Sequence, residues 1–158
     1  MNLAVKWREL INNPFFRDMP YKIELNKFGQ ILMSPASNRH GAFQYKVGRE
    51  IERVKNSGVV IMECSILTGE GVRVADVAWA SGEFIREFGE TTPYPKAPEI
   101  CVEVKSPGNS RAEWEEKIRL YLEKGALEVW IVDEKGTVNF FSHTGEIRES
   151  KIAASFKL

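Results

Sequence analysis

Cysteine is nearly missing from this 158-residue chain: there are two, Cys64 and Cys101. Both sit in apolar, strand-like runs, which argues against a disulfide scaffold and excludes a cysteine-rich metal site, so the cytoplasm is the expected compartment. No apolar run approaches the length needed to cross a membrane, so no membrane partner is expected. Met1 to Ile11 carries Lys6, Arg8 and Glu9 where a signal peptide would have an uncharged core. Net charge is absent as well, with 22 basic residues against 22 acidic ones. A protein that coats nucleic acid without specificity carries a positive excess, and this one does not. Solenoid-length repeats and low-complexity segments are also lacking.

What remains has the composition of a globular protein, 43% hydrophobic and 28% charged, with length for one domain around one core. Leu3, Trp7, Leu10 and Ile11 share a helical stripe that Asn13-Pro14 ends. Tyr21–Asn26 and Gln30–Met33 read as two strands around a glycine-containing turn. A helix from about Arg39 to Lys55 carries Phe43, Val47, Ile51 and Val54 on its apolar stripe, with Glu50 inside that stripe and His40 on the same side near the start. For Glu50 two readings stand: a carboxylate that pairs with an arginine or snorkels to water, or an acid aimed at a central sheet.

Val59–Leu67 and Val72–Trp79 read as strands joined by Thr68-Gly69-Glu70-Gly71. Period 2 would place Val72, Val74, Asp76 and Ala78 on one face, leaving Asp76 as an acid amid apolar residues. Residues 81–87 make a short helix, and a proline-rich connection leads to Pro98–Pro107. There Ile100, Val102 and Val104 alternate with Glu99, Cys101, Glu103 and Lys105. Charges on one face of a buried strand cost desolvation unless they are paired or bound to something. Ser110-Arg111-Ala112-Glu113 is a capping box opening a helix with Trp114, Ile118, Tyr121 and Leu122 on its packed stripe and Lys117 at its edge. Strands over Leu127–Val132 and Thr137–Ser142 follow, with an edge segment through Ile147. The order predicts an α/β or α+β layer domain whose mixed sheet carries Asp76 and Glu103 on central strands.

Two carboxylates on neighbouring strands repel unless a cation lies between them. Oxygen ligands suit a hard ion, Mg²⁺ or Mn²⁺, which polarises a phosphodiester and acidifies bound water. Lys105 beside it would orient that water or offset charge growing on phosphorus. The bland alternative is a plain ion pair of Lys105 with Glu103 or Asp76.

Five pieces in order carry a resemblance. They are Ile31-Leu32-Met33-Ser34-Pro35 with His40-Gly41; Val72-Arg73-Val74-Ala75-Asp76-Val77; Pro98 through Pro107; Lys117 with Tyr121; and Gly125 through Asp133. Together they resemble the PD-(D/E)XK nuclease superfamily and, within it, the Uma family of restriction-endonuclease-like proteins. Ala75 stands where that pattern usually has proline. The resemblance implies one restriction-endonuclease-like domain over 1–158, with a helical segment over 1–20 and the core over 21–142, a mixed central β-sheet flanked by helices. It implies a metal-dependent endonuclease acting on DNA. Asp76 and Glu103, with the Val104 carbonyl, would be metal ligands; Lys105 would be the base-like residue and Lys117 a basic residue from the next helix. Glu50 and His40 are additional candidates. The alternative is a non-catalytic nucleic-acid-binding or assembly module on the same fold. Zero net charge leans toward that alternative, unless a homodimer pairs two weak basic patches through exposed Trp and Phe near the termini.

Overall fold

The computed structural model describes residues 1–158. Helix α1 (Leu3–Asn12) is capped by the Asn2 side chain and followed by a 3₁₀ turn over Pro14–Phe16. Strands β1 (Tyr21–Asn26) and β2 (Ile31–Pro35) form the expected hairpin, and Ser37 caps α2 (Asn38–Lys55). Then come β3 (Val59–Thr68), β4 (Gly71–Ala80), α3 (Gly82–Phe88) and β5 (Ile100–Val104). Helix α4 (Arg111–Glu123) opens with the predicted capping box: Glu113 N–H donates to the Ser110 hydroxyl, and the Glu113 carboxylate accepts from Ser110 N–H. Strands β6 (Glu128–Val132), β7 (Val138–Ser142) and β8 (Gly145–Ile147) complete the chain of elements.

The mixed eight-stranded sheet runs β2-β1-β4-β5-β6-β7-β8, with β3 also on β4. Only β5 and β6 pair in parallel, joined by α4 as crossover. One face packs Val47 and Ile51 of α2 against Val77, Trp79, Val102 and Trp130. A second cluster packs Phe84 and Tyr121, from α3 and α4, against Ile66, Cys101, Val129 and Ile131. Trp7 and Leu10 of α1 close a third over Leu25, Val72 and Val74. Trp7 is therefore core and is not available as an exposed terminal tryptophan; Phe15 is the exposed aromatic of that region. Both cysteines are buried and unpaired, and burial pushes the Cys64 thiol up to about 12. No helix is long and apolar enough to cross a membrane.

Strand β4 organises the sheet. One of its edges is paired by β3 from end to end. The other is shared: β1 pairs with it only at Gly71 and Val72, and β5 only at Val77–Trp79. Gly71 permits the tight β1 approach, because at its φ of +120° a Cβ would lie 2.1 Å from the Leu25 carbonyl oxygen. Between these two contacts β1 and β5 diverge, and the sheet forks over residues 73–76.

The strict alternation expected along β4 does not hold through the fork. Val72 and Val74 pack in the α1 cluster, Ala75 and Ala78 in the α4 cluster, and Val77 and Trp79 in the α2 cluster. The phase slips by one residue at Asp76. Opposite it, Glu63 takes a left-handed φ of 54°, and the 63–76 pairing is missing from an otherwise continuous ladder. Gln44 fills the gap, its Nε2 donating to the Asp76 carbonyl at 2.8 Å and to Glu63 Oε1 at 2.7 Å.

The core also reaches past residue 142. Ala153 and Phe156 are buried against Trp130, and Glu128, 2% exposed, anchors that segment. Its carboxylate accepts from Trp130 Nε1 (2.8 Å), Ser150 Oγ (2.7 Å), Lys151 N (2.7 Å) and Ile152 N (3.2 Å). A carboxamide of the same shape has one acceptor oxygen for these four donors. Glu128→Gln should cost about 2 kcal/mol in urea unfolding, and amide exchange at Lys151 and Ile152 should accelerate first.

Candidate active site

The fork leaves backbone donors and acceptors of β1, β4 and β5 without strand partners, and side chains satisfy them. Val74 N–H donates to Glu24 Oε1 at 2.8 Å, and Arg73 Nη1 donates to the Leu25 carbonyl at 2.9 Å. Asp76 Oδ2 accepts from Val104 N–H at 2.7 Å. The carboxylates of Glu24 on β1 and Asp76 on β4 are thus drawn into one gap because leaving buried amides unpaired is costly, and Glu103 of β5 joins them.

Their remaining oxygens converge. Lys22 Nζ lies 3.0 Å from Asp76 Oδ1 and 3.2 Å from Glu103 Oε2. Lys117 bridges the other side, with its Nζ bonded to Glu24 Oε1 and 3.1 Å from Glu103 Oε1. Tyr121 donates its hydroxyl to the same Glu103 oxygen at 2.7 Å. From α2, His40 Nε2 is 3.2 Å from Asp76 Oδ1, and its Nδ1 meets Ser106 Oγ at 3.3 Å. This cluster floors a cavity of about 760 Å³ between the β1–β2 hairpin, α2 and the start of α4.

The electrostatics follow from burial against charge. Burial pushes the Asp76 carboxyl up, but Lys22, His40 and the Val104 amide overcome it and hold the group well below the usual carboxylate range. Burial also pushes Glu103 up; Lys117 and Lys22 offset only part of this, Asp76 and Glu24 add repulsion, and its pKa ends above the ordinary value. In Glu24, burial is outweighed by Lys117 and Lys22, and the pKa falls. Burial works against the Lys22 ammonium, yet Glu103, Asp76 and Glu24 together hold its pKa well above the ordinary lysine value. The hydrogen bond to Asp76 raises His40. Tyr121, raised strongly by burial, stays a hydroxyl donor.

Of the residues singled out in the sequence, Asp76, Glu103, Val104, Lys117 and His40 come together here. Lys105 lines the same cavity but forms neither of the ion pairs considered for it; its Nζ sits 4.2 Å from the centroid of the Trp114 ring. Strand β5 ends at Val104, although Lys105 N–H still bonds the Val132 carbonyl of β6 at 2.8 Å, and the Lys105 side chain packs on α4. Glu50 is not part of the cluster. It is half-buried and pairs with Arg53, at 2.6 and 3.0 Å, the arginine-paired role considered for it. Lys22 and Glu24 went unread, although Tyr21-Lys22-Ile23-Glu24-Leu25 repeats on β1 the signature seen on β5, two charges spaced by two on an apolar strand.

A divalent ion fits this donor set in one particular way. No three His, Cys, Asp or Glu side chains form a ready cage, which speaks against a zinc-type centre. Magnesium is commonly held by one or two carboxylates with waters completing the octahedron, and Asp76 Oδ1 with Glu103 Oε2 already share one cation. Around the cavity six carboxyl groups face four lysine and arginine side chains and His40, an acidic surplus that attracts a cation.

The model of the family described as "Uma2: Putative restriction endonuclease" matches residues 12–155. No curated protein matches the chain. Among solved structures, the fold is similar to that of a protein from Anabaena variabilis described as a putative nuclease belonging to DUF820. The TM-score is 0.72 at 21% identity, covering 90% of this chain and 91% of that one.

Lys117→Met should destabilise the protein by roughly 3 kcal/mol at pH 7, because Glu24 and Glu103 lose their shared cation while staying buried. Without Lys117 both carboxyls hold protons to higher pH in the folded state, so the variant's native form binds more protons than the wild type on acidification. Its penalty, read from denaturant midpoints, should therefore shrink as pH falls through the raised Glu103 pKa, and a penalty independent of pH would contradict the pairing.

Proposed function

The chain belongs to the Uma2 family, and from that membership we propose that it is a Mg²⁺- or Mn²⁺-dependent nuclease hydrolysing phosphodiester bonds of DNA. The observation that carries the reading is the convergence of Asp76 Oδ1 and Glu103 Oε2 on a single cation at the floor of an open cavity. A divalent ion bound to that pair supplies Lewis-acid polarisation of a phosphoryl oxygen and a water of lowered pKa.

The chain's own groups do the rest. Val104 N–H and His40 fix Asp76 from two directions, while Tyr121 and Lys117 hold Glu103, so both carboxylates are oriented before anything binds. Lys117 and Lys105 offer cationic groups facing the cavity toward an anionic phosphate. Ser106 keeps the His40 ring in place.

DNA as substrate is supported by charge that the zero total conceals. The exposed side of α2 carries Arg39 and Lys46 at 5.8 and 5.6 Å from the Phe43 ring, and Arg49 at 5.7 Å from Tyr45. The same helix delivers His40 to the cavity, so this basic side leads away from the candidate site along a helix suited to phosphate contacts. The second reading, a non-catalytic binding module, is favoured by Lys105 lying on Trp114 instead of beside the carboxylates.

Metal titration separates the two. At one hundred times its Kd, Mg²⁺ or Mn²⁺ should stabilise the wild type by about 2.7 kcal/mol, Asp76→Ala should show no such gain, and only the wild type should cleave single- or double-stranded DNA. A wild type that neither responds to metal nor cleaves would refute the nuclease reading.

A further inference from the structure

Lys22 stands apart from the other cations of the cavity. Lys117 binds the oxygens of Glu103 and Glu24 that face α4, and Lys105 lies on Trp114. Lys22 alone joins Asp76 to Glu103, and it does so through the oxygen of each that would have to ligate an ion shared by the two strands. Its side chain is 13% exposed and Glu24 Oε1 is a further 4.0 Å neighbour. An ion about 2.1 Å from the same two oxygens would lie within a few ångströms of the Lys22 nitrogen, where like charges repel strongly. The ammonium and the ion cannot both hold this place.

Resting on the metal-dependent reading above, we propose that Lys22 is a resident cation that exchanges with the divalent ion. In the metal-free protein it neutralises the two carboxylates that the fork has drawn together, keeping β1, β4 and β5 joined. When the ion binds, the ammonium withdraws into the cavity that it lines. Strand β1 permits this because it pairs with β4 only at Leu25 and Asn26; at Lys22 it is held from β2 alone, opposite Ser34. Displaced but still tethered, Lys22 becomes a positioning residue beside the anionic group that the site would receive. The metal affinity of the wild type is accordingly set by a competition inside the protein.

Calorimetric titration of the full chain with Mn²⁺ at pH 7 tests this. Lys22→Met should bind Mn²⁺ about tenfold more tightly or better, and Lys22→Arg, which keeps the charge, should bind no tighter than wild type. Equal affinity in wild type and Lys22→Met would overturn the exchange and leave the metal site standing. Absence of binding in both would overturn the metal-dependent reading and the exchange with it. Should Lys22→Met fail to fold, amine acylation of the wild type followed by peptide mass mapping gives the same answer. Labelling of Lys22, but not of the exposed Lys46 and Lys135, should rise several-fold on adding Mn²⁺ at a concentration that gives a binding heat. Unchanged Lys22 labelling under those conditions would overturn the proposal.

Discussion

Two strands compete for one edge of β4, and everything else at the candidate site follows from how that competition is resolved. β1 takes the beginning of the edge and β5 the end, leaving the backbone of residues 73–76 without strand partners on that side. Buried amides demand acceptors, and those on hand are carboxylates: Glu24 for Val74, Asp76 for Val104. With these two acids and Glu103 of β5 in one gap, their mutual repulsion calls for cations, and Lys22 and Lys117 answer from opposite sides. A structural requirement of the sheet thus assembles a charged site.

The same logic explains how such a site stays folded. Burying an isolated carboxylate is prohibitive, whereas a network in which each oxygen has a donor or a cation is tolerated. Asp76 and Glu103 are engaged on both of their oxygens. Glu128, on the neighbouring β6, shows the contrasting solution: four neutral donors, no lysine, and a purely anchoring role for the segment that carries Ser150, Lys151 and Ile152. The two solutions differ in their partners: lysine ammonium groups take part at Asp76 and Glu103, whereas Glu128 is held by amides, a hydroxyl and an indole alone.

Much of this is legible in the sequence. The helices and strands follow from periodicity and caps, and the capping box at Ser110 and Glu113 formed as written. The conflict between charge and apolar pattern at Glu103 and Asp76 pointed to the two carboxylates that meet. The same conflict at Lys22 and Glu24 carries less signal, because a hairpin strand reads as scaffold and nothing local says that β1 will reach β5 across a fork. Lys105 follows the pattern in sequence, but its ammonium lies on Trp114 of α4, a tertiary contact that the pattern of β5 does not encode. The phase slip at Asp76 rests on a left-handed Glu63 and a glutamine from α2, a tertiary arrangement that leaves no trace in the alternation of β4 itself. Glu50 lies within the apolar stripe on a helical wheel and stays half-buried there, paired with the exposed Arg53 one turn on.

A divalent ion held in the fork between Asp76 and Glu103, as proposed above, would be visible by diffraction. Crystals grown with Mn²⁺, with data collected to maximise its anomalous signal, should show one strong peak about 2.1 Å from a carboxylate oxygen of each residue, with the Lys22 nitrogen no longer between them. A map without that peak, or one in which Lys22 still bridges the two carboxylates while Mn²⁺ binds elsewhere, would contradict that proposal.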